Sequence, residues 1–383
     1  MQKTIQHQAT NQRKSGIELL KIFGIILVVI SHVIQTLHSS NSYISSTDYI
    51  VNLSVATTNV QHLILALLRY SGMLGNTIFF VCSAWFLLDS NKVNKKKLLQ
   101  MLMDVWVISV SILIAVFIIR RGNISFKLLV EQLFPTTYEN NWYITCYMLF
   151  YAVHPLLNSL LHDMPQKTLL KTTLVLIHLY VFINFVLPGQ FFSSSIVLWI
   201  TIYFAIAYIK FYLADLSNNT KLNLIMLGIG FAGNIGIVLL TNFLGLRIAP
   251  MRTWILRWNL NCSPFLILIA ISLLNIARNV HFKNKAVNYI SGLSLLIYVI
   301  HENELLRTYY RPMMWSYIYN RFGYDYILLW TLIMVLLVFS FGLIMGILYK
   351  CTIQKIVTRL RDRLYPVLQR LYRKIETRIF KLH

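Results

Sequence analysis

The chain predicts an all-α polytopic membrane protein of about ten transmembrane helices with both termini cytoplasmic, and three observations predict it. Of its 383 residues, 57% are hydrophobic and only 13% charged, with a mean hydropathy of +0.62. Soluble domains carry about 25% charged residues, so the composition belongs to a chain dissolved in lipid. Apolar runs near the roughly 20 residues that a bilayer needs recur at 17–37, 70–89, 99–119, 142–161, 169–187, 195–213, 222–244, 262–277, 288–306 and 327–349. Lys and Arg supply the third observation, because they concentrate in cytoplasmic loops. With both ends inside, 24 of the 35 fall in inside segments and nine in outside segments, while Lys21 and Arg69 sit in spans.

The same reading excludes several function classes. The formal net charge of +22 would suggest nucleic acid in a soluble protein, but here topology and anionic inner-leaflet lipid account for it. Residues 350–383 alternate bulky apolar residues with Arg and Lys. They read as a basic amphipathic cytoplasmic tail lying on the membrane, bent or broken at Pro366, beyond a transmembrane domain of residues 1–349. Cys82, Cys146, Cys262 and Cys351 form no C-x-x-C pair, so neither a zinc site nor a disulfide framework is signalled. No phosphate-binding G-x-x-x-x-G-K-[ST] loop and no G-x-G-x-x-G fingerprint occurs, and no cleavable signal sequence is evident. ATP-driven transport and nicotinamide chemistry lose their support.

The first span, "SGIELLKIFGIILVVISHV" from Ser15 to Val33, carries Glu18, Lys21 and His32. An ionisable side chain near the bilayer centre costs roughly 2.5–3.5 kcal/mol, so three in one span call for compensation. Lys21 and His32 differ by about 20° around the helix and about 16 Å along it, and Glu18 lies about 40° from His32. With Gln35 they form one polar stripe, which faces a bundle interior or a wet cavity. A lone membrane histidine is commonly a packing residue, and a Glu18–Lys21 pair at i, i+3 is commonly structural. A neutral imidazole can nevertheless take a proton from a hydroxyl, as acyl transfer to an alcohol requires, and Lys21 could bind an anion.

Three further stretches carry polar chemistry. The second span opens at Arg69 and leads into the basic run "KVNKKK", with Lys92, Lys95, Lys96 and Lys97. That run is either a topology anchor or a landing site for a phosphate-rich donor, with Arg69 as a further candidate for donor binding. The fourth span opens with Trp142 and Tyr143, as an interfacial aromatic belt would, and holds His154 and Pro155, readable as a kink or a site. The ninth ends at His301 and Glu302, at the depth that His32 reaches from the first. Two histidines at one depth could serve one site or be interfacial residues without a role.

Together these residues resemble the acyltransferase-3 family of integral membrane O-acyltransferases, which modify bacterial cell-surface glycans. Glu18, Lys21 and His32 occupy the places of the family's acidic residue, arginine and histidine, the last two separated by ten residues. "FFVCSAWF", Phe79 to Phe86, is similar to the family's Phe-Phe-x-x-Ser-Gly-Phe core. Trp142, Tyr143 and Pro155 match a later span, and Ser294, Leu295, Ile297, Tyr298 and His301 match a late Ser-Leu-x-Ile-Tyr-x-x-His pattern. The resemblance runs from about residue 15 to 345. Lys21 stands where the family has arginine, losing the planar fork, and Ala84 stands where it has glycine.

The resemblance implies transfer of an acyl group, usually acetyl from acetyl-CoA as donor substrate, to a sugar hydroxyl of a surface glycan or its lipid-linked precursor. No permanently bound cofactor and no metal is expected. It further implies His32 as catalytic base, His301 as a second candidate, Glu18 and Lys21 organising a channel, and Lys92 and Lys95–Lys97 holding the CoA phosphates, all in a bacterial cytoplasmic membrane. The rival expectation from another class is a transporter of glycan or lipid-linked oligosaccharide. It would call for repeat symmetry, which the sequence does not display. A structural scaffold, the third reading, predicts that no single polar residue in a span matters.

Overall fold

The computed structural model describes residues 15–38, 51–138, 141–188 and 194–380. Lys3, Arg13, Lys14 and Lys381, which enter the charge count above, lie outside the described residues. Where described, the chain is helical without strands. Its elements run α1 (Ser15–His38), α2 (Val60–Arg69), α3 (Ser71–Leu87), α4 (Lys95–Ile119), α5 (Phe126–Leu133), α6 (Trp142–Asp163) and α7 (Gln166–Ile177). A wide helical turn over His178–Ile183 leads to α8 (Asn184–Val186), then α9 (Ser195–Tyr212), α10 (Ala214–Asn218), α11 (Thr220–Arg247) and α12 (Pro264–Asn279). The last are α13 (Lys285–Ser291), α14 (Ser294–His301), α15 (Arg311–Phe322), α16 (Ile327–Cys351) and α17 (Ile353–Phe380).

Eight helical segments are long and apolar enough to cross a membrane, and contacts show two further passes. Ser15 Oγ donates to Asn288 while His32 meets His301, so α13 and α14 together run alongside α1 in the same direction. Gly16 packs on the carbonyls of Ala277 and Val280, which sets the 16-residue α12 antiparallel to α1. Alternating directions through all ten passes put Ser15 and Cys351 at one end of the bundle. We call that the tail end and the other the His32 end.

Two spans differ from their expected limits for identifiable reasons. The second begins at Val60, ten residues early, because His62 and Arg69 lower the apolarity of a stretch that is nonetheless buried through Leu65 and Ala66. The ninth is broken at Gly292 and Leu293, whose amides bond to Asn288 and Ile290 and close a turn between α13 and α14. Broken helices at membrane depth are tolerated where they are buried in protein.

Two prolines leave their helices continuous. Pro155 frees the carbonyl of Tyr151, four residues back, and His154 Nδ1 donates to that carbonyl at 2.6 Å. His154 thereby satisfies the carbonyl that Pro155 frees. Pro366 neither ends nor splits α17, so the break that the sequence allowed does not occur: the carbonyl it strands belongs to Asp362, on an exposed face where water can serve it.

The α1–α3 seam positions the site. A Cβ on Gly75 would lie 2.5 Å from the Gly24 carbonyl, and one on Gly72 would lie 2.6 Å from Ser31. Small residues let the two backbones touch, which is how membrane helices gain packing energy when lipid is as apolar as their side chains. Ser31 Oγ then reaches the Arg69 carbonyl at 2.9 Å, and Ser71 Oγ reaches the Leu27 carbonyl at 2.8 Å. Arg69 is thus delivered to the level of His32.

Candidate active site

At the His32 end, α1 and α14 present their histidines side by side. His301 Nδ1 lies 2.7 Å from the carbonyl of Ile297, one turn earlier. A carbonyl only accepts, so Nδ1 carries the proton and Nε2 holds the lone pair. His32 Nδ1 sits 3.1 Å from that Nε2 and is accordingly the donor. Glu302 Oε2 approaches the same His32 nitrogen at 2.8 Å but accepts no hydrogen bond, because the N–H points at His301. The carboxylate acts on His32 through its charge. With Nδ1 protonated, the lone pair of His32 is on Nε2, which has no protein partner among the described residues.

The turn after α14 supplies the balancing cations. Arg307, on the wide helical turn Leu306–Tyr310, donates to Glu302 Oε1 at 3.0 Å and pairs with Glu304 at 2.5 Å. Arg311, 4% exposed at the start of α15, lies 3.6 Å from Glu302 Oε2. Its guanidinium also donates to the carbonyls of His32 and His301 and approaches Thr36 Oγ1 at 3.5 Å. One planar fork therefore ties the ends of two helices at the two histidines, a task for which lysine lacks the donors. Trp315 Nε1 fixes the same helix end by donating to the Val33 carbonyl at 3.0 Å.

These groups border a cavity of about 210 Å³ lined by His32, Gln35, Arg69, Trp142, Tyr298 and Arg307, among others. Arg69 donates to Ser31 Oγ at 3.3 Å, and its Nε has no partner. The ligand atoms of His32, His301 and Glu302 lie within 4.8 Å of one another, close enough for a metal ion. The surroundings argue otherwise: two guanidiniums already hold Glu302, and the His301 lone pair is taken by His32. The arrangement suits proton transfer.

Comparison with known families decides the class. The acyltransferase-3 family, described as an acyltransferase domain, matches residues 14–349. The chain belongs to this family. Neither a search of curated proteins nor one of solved structures found a match. The protein is a multi-pass membrane acyltransferase.

The remaining candidates of this acyltransferase fall into two groups. Glu18 is buried and Lys21 half-buried on α1, paired at 2.8 Å, so the charge of Lys21 is spent on Glu18 while Glu18 Oε2 takes no hydrogen bond. Lys92, Lys95, Lys96 and Lys97 are exposed at the tail end. Lys95 lies over the Tyr372 ring at 4.7 Å, and Lys96 lies over Tyr365 at 5.4 Å and 3.9 Å from Asp362, both against α17. Lys97 lies over Tyr151 at 5.6 Å. Arg69, grouped with these lysines on sequence, stands instead in the His32 cavity. The sequence pattern puts Glu302 beside His301 but gives no site role to it, to Arg307 or to Arg311. A signal exists: "HENELLRTYYR" puts two glutamates and two arginines within ten residues of a span-ending histidine.

Proposed function

We propose that this acyltransferase moves an acetyl group from acetyl-CoA to a sugar hydroxyl of a cell-surface polysaccharide or its lipid-linked precursor, across a bacterial cytoplasmic membrane. The observation that carries the reading is the His301–His32 hydrogen bond at 3.1 Å with Glu302 at 2.8 Å. It fixes the His32 tautomer and places a negative charge where an imidazolium would form. His32 Nε2 takes the proton of the acceptor hydroxyl as its oxygen attacks the thioester carbonyl carbon. Glu302 stabilises the imidazolium during that step. Negative charge develops on the carbonyl oxygen, and Arg69, with an unused Nε–H, is the nearby cation to stabilise it. As the carbon–sulfur bond breaks, the His32 proton passes to the departing CoA sulfur and restores the neutral ring.

The donor enters from the cytoplasm, where Lys92 and Lys95–Lys97 attract the CoA phosphates. Glu18 and Lys21 line the way toward His32 as a neutral pair, so an uncharged acetyl-pantetheine arm passes them without an ionic trap. The test is to give isotope-labelled acetyl-CoA to membranes holding the protein and to follow both free CoA and label in the surface glycan. Stoichiometric CoA release with labelled glycan supports the reading. Movement of intact glycan without CoA release would replace it with transport, and label in a non-sugar acceptor would move the substrate class.

A further inference from the structure

A second cavity of about 230 Å³ lies at the same end of the bundle, and nothing in the acyl-transfer chemistry uses it. Its wall is drawn from three elements: Asn184 on α8, Ser195 at the start of α9, and Asn259 and Asn261 in the loop before α12. That loop is held in place from across the molecule. The Ala56 amide donates to the Arg252 carbonyl at 2.7 Å, and the Ile255 amide to the Ser54 carbonyl at 3.3 Å.

Three properties identify the ligand chemistry. Among the described residues the lining includes amides and hydroxyls but no Asp, Glu, Lys, Arg or His, so a phosphate or carboxylate would find no counter-charge there. Asn259, on the cavity wall, has a buried Oδ1 without a hydrogen-bond donor among the described residues, so its amide has no partner there that fixes it in place. Met73 lines this cavity and the His32 cavity alike, so its flexible thioether lies where the two adjoin. Each space alone falls below the roughly 300–1,000 Å³ typical of small-molecule pockets, whereas the two joined fall within it.

We propose that the Asn184–Ser195–Asn259–Asn261 cavity is a second sugar subsite, holding the uncharged glycan unit next to the one acylated beside His32. The inference rests on the glycan-acceptor reading. Binding energy from this unreacting neighbour positions the reacting hydroxyl at His32. The enzyme then prefers a disaccharide acceptor to the monosaccharide.

The experiment uses full-length protein in nanodiscs, labelled acetyl-CoA, and mono-, di- and trisaccharide fragments prepared from the surface glycan of the producing cells. The wild type is expected to show a kcat/KM for the disaccharide at least about tenfold above that for the monosaccharide, the equivalent of one good hydrogen-bonding site. Asn259→Leu is expected to lower the disaccharide value by about tenfold and the monosaccharide value by less than threefold. Ser195→Ala, a milder change at a half-buried helix start, should lower the disaccharide value alone by about threefold and guards against misfolding of the first variant. Equal wild-type use of mono- and disaccharide, or equal losses on both in the two variants, overturns the subsite while leaving the glycan reading intact. Transfer to none of the fragments, with acetyl-CoA still consumed on another membrane acceptor, overturns both together.

Discussion

The two ends of the bundle hold ionisable groups under opposite regimes. At the His32 end, His32, His301, Glu302 and Arg311 are tied by contacts spanning some 270 residues of sequence, and Glu302 and Arg311 are 5% and 4% exposed. At the tail end, Lys95 and Lys96 are exposed and, among the described residues, meet the rings and one carboxylate of α17. A buried charge network has to be complete, since one unpaired member costs several kcal/mol. Exposed lysines can trade partners at little cost. The His32 end holds one geometry, whereas the tail-end lysines are free to change partners, as the proposed donor site requires. Substitutions at the first should act on the chemical step, and those at the second on donor binding.

The largest effect is expected at His32. His32→Ala should reduce acyl transfer by about 10²–10⁴-fold, the range of one positioned proton acceptor. Membrane insertion should not suffer, because the change removes a polar group from a span. His32→Gln keeps a hydrogen-bonding amide but cannot accept a proton near neutral pH. The Gln variant should therefore be as inactive as Ala. Acylated glycan per unit of inserted protein is the readout, and near-normal transfer by Gln would move the base to another residue.

Glu302→Gln comes next. The amide preserves shape and can still meet Arg307, but the charge that stabilises an imidazolium is gone and Arg311 loses part of its compensation. A fall of about 10–100-fold in kcat is expected, the usual range for residues that support a reacting group, with donor KM little changed. A rise in KM with kcat intact would mean that Glu302 serves binding. Arg311→Lys separates charge from geometry. Lysine keeps the cation yet cannot reach the His32 and His301 carbonyls together, so thermal stability in detergent and kcat should fall together, by about tenfold in rate. A lysine variant of full stability and activity would show that the fork is dispensable.

Much of the fold was legible because lipid imposes a harsh rule: a pass needs about 20 apolar residues and its loops sort their Lys and Arg by side. The rule falters where a protein neighbour replaces lipid. His62 and Arg69 hid the first ten residues of the second pass, and the Gly292 break was invisible to an average over a window. At the site, His32 and His301 were visible through spacing within their own spans. Glu302, Arg307 and Arg311 were not, since at the end of a span they count as ordinary loop charges. Their meaning lies in partners on α1, which no local pattern reveals. Arg69 shows the reverse error: close in sequence to the lysine run, it is carried to the other end of the bundle by the length of α3.

At the tail end the expected effects are smaller and lie in KM. Converting Lys95, Lys96 and Lys97 together to Gln should raise the acetyl-CoA KM several-fold through lost phosphate contacts and leave kcat within about twofold. An unchanged KM in correctly inserted protein would leave these lysines as topology anchors.

The smallest effect sharpens the comparison most, because it turns on competition for the same lysines. Tyr365 and Tyr372 of α17 hold Lys96 and Lys95 by ring contacts, each worth about 0.5–1 kcal/mol where solvent is present. A donor phosphate that needs those ammonium groups has to displace the rings first. Removing both rings, as Tyr365→Leu with Tyr372→Leu, should therefore lower the acetyl-CoA KM, by about two- to fivefold where donor binding has to break one of the two contacts. Leucine retains an apolar side chain, so α17 keeps its amphipathic face, and the Gln354–Asp104 hydrogen bond at 3.2 Å still anchors its start. The same double substitution in the triple-Gln background should have no effect on KM, since there are no ammonium groups to release. If the rings instead help to place the lysines for the donor, KM would rise in the first background, and the tail end would be as preorganised as the His32 end.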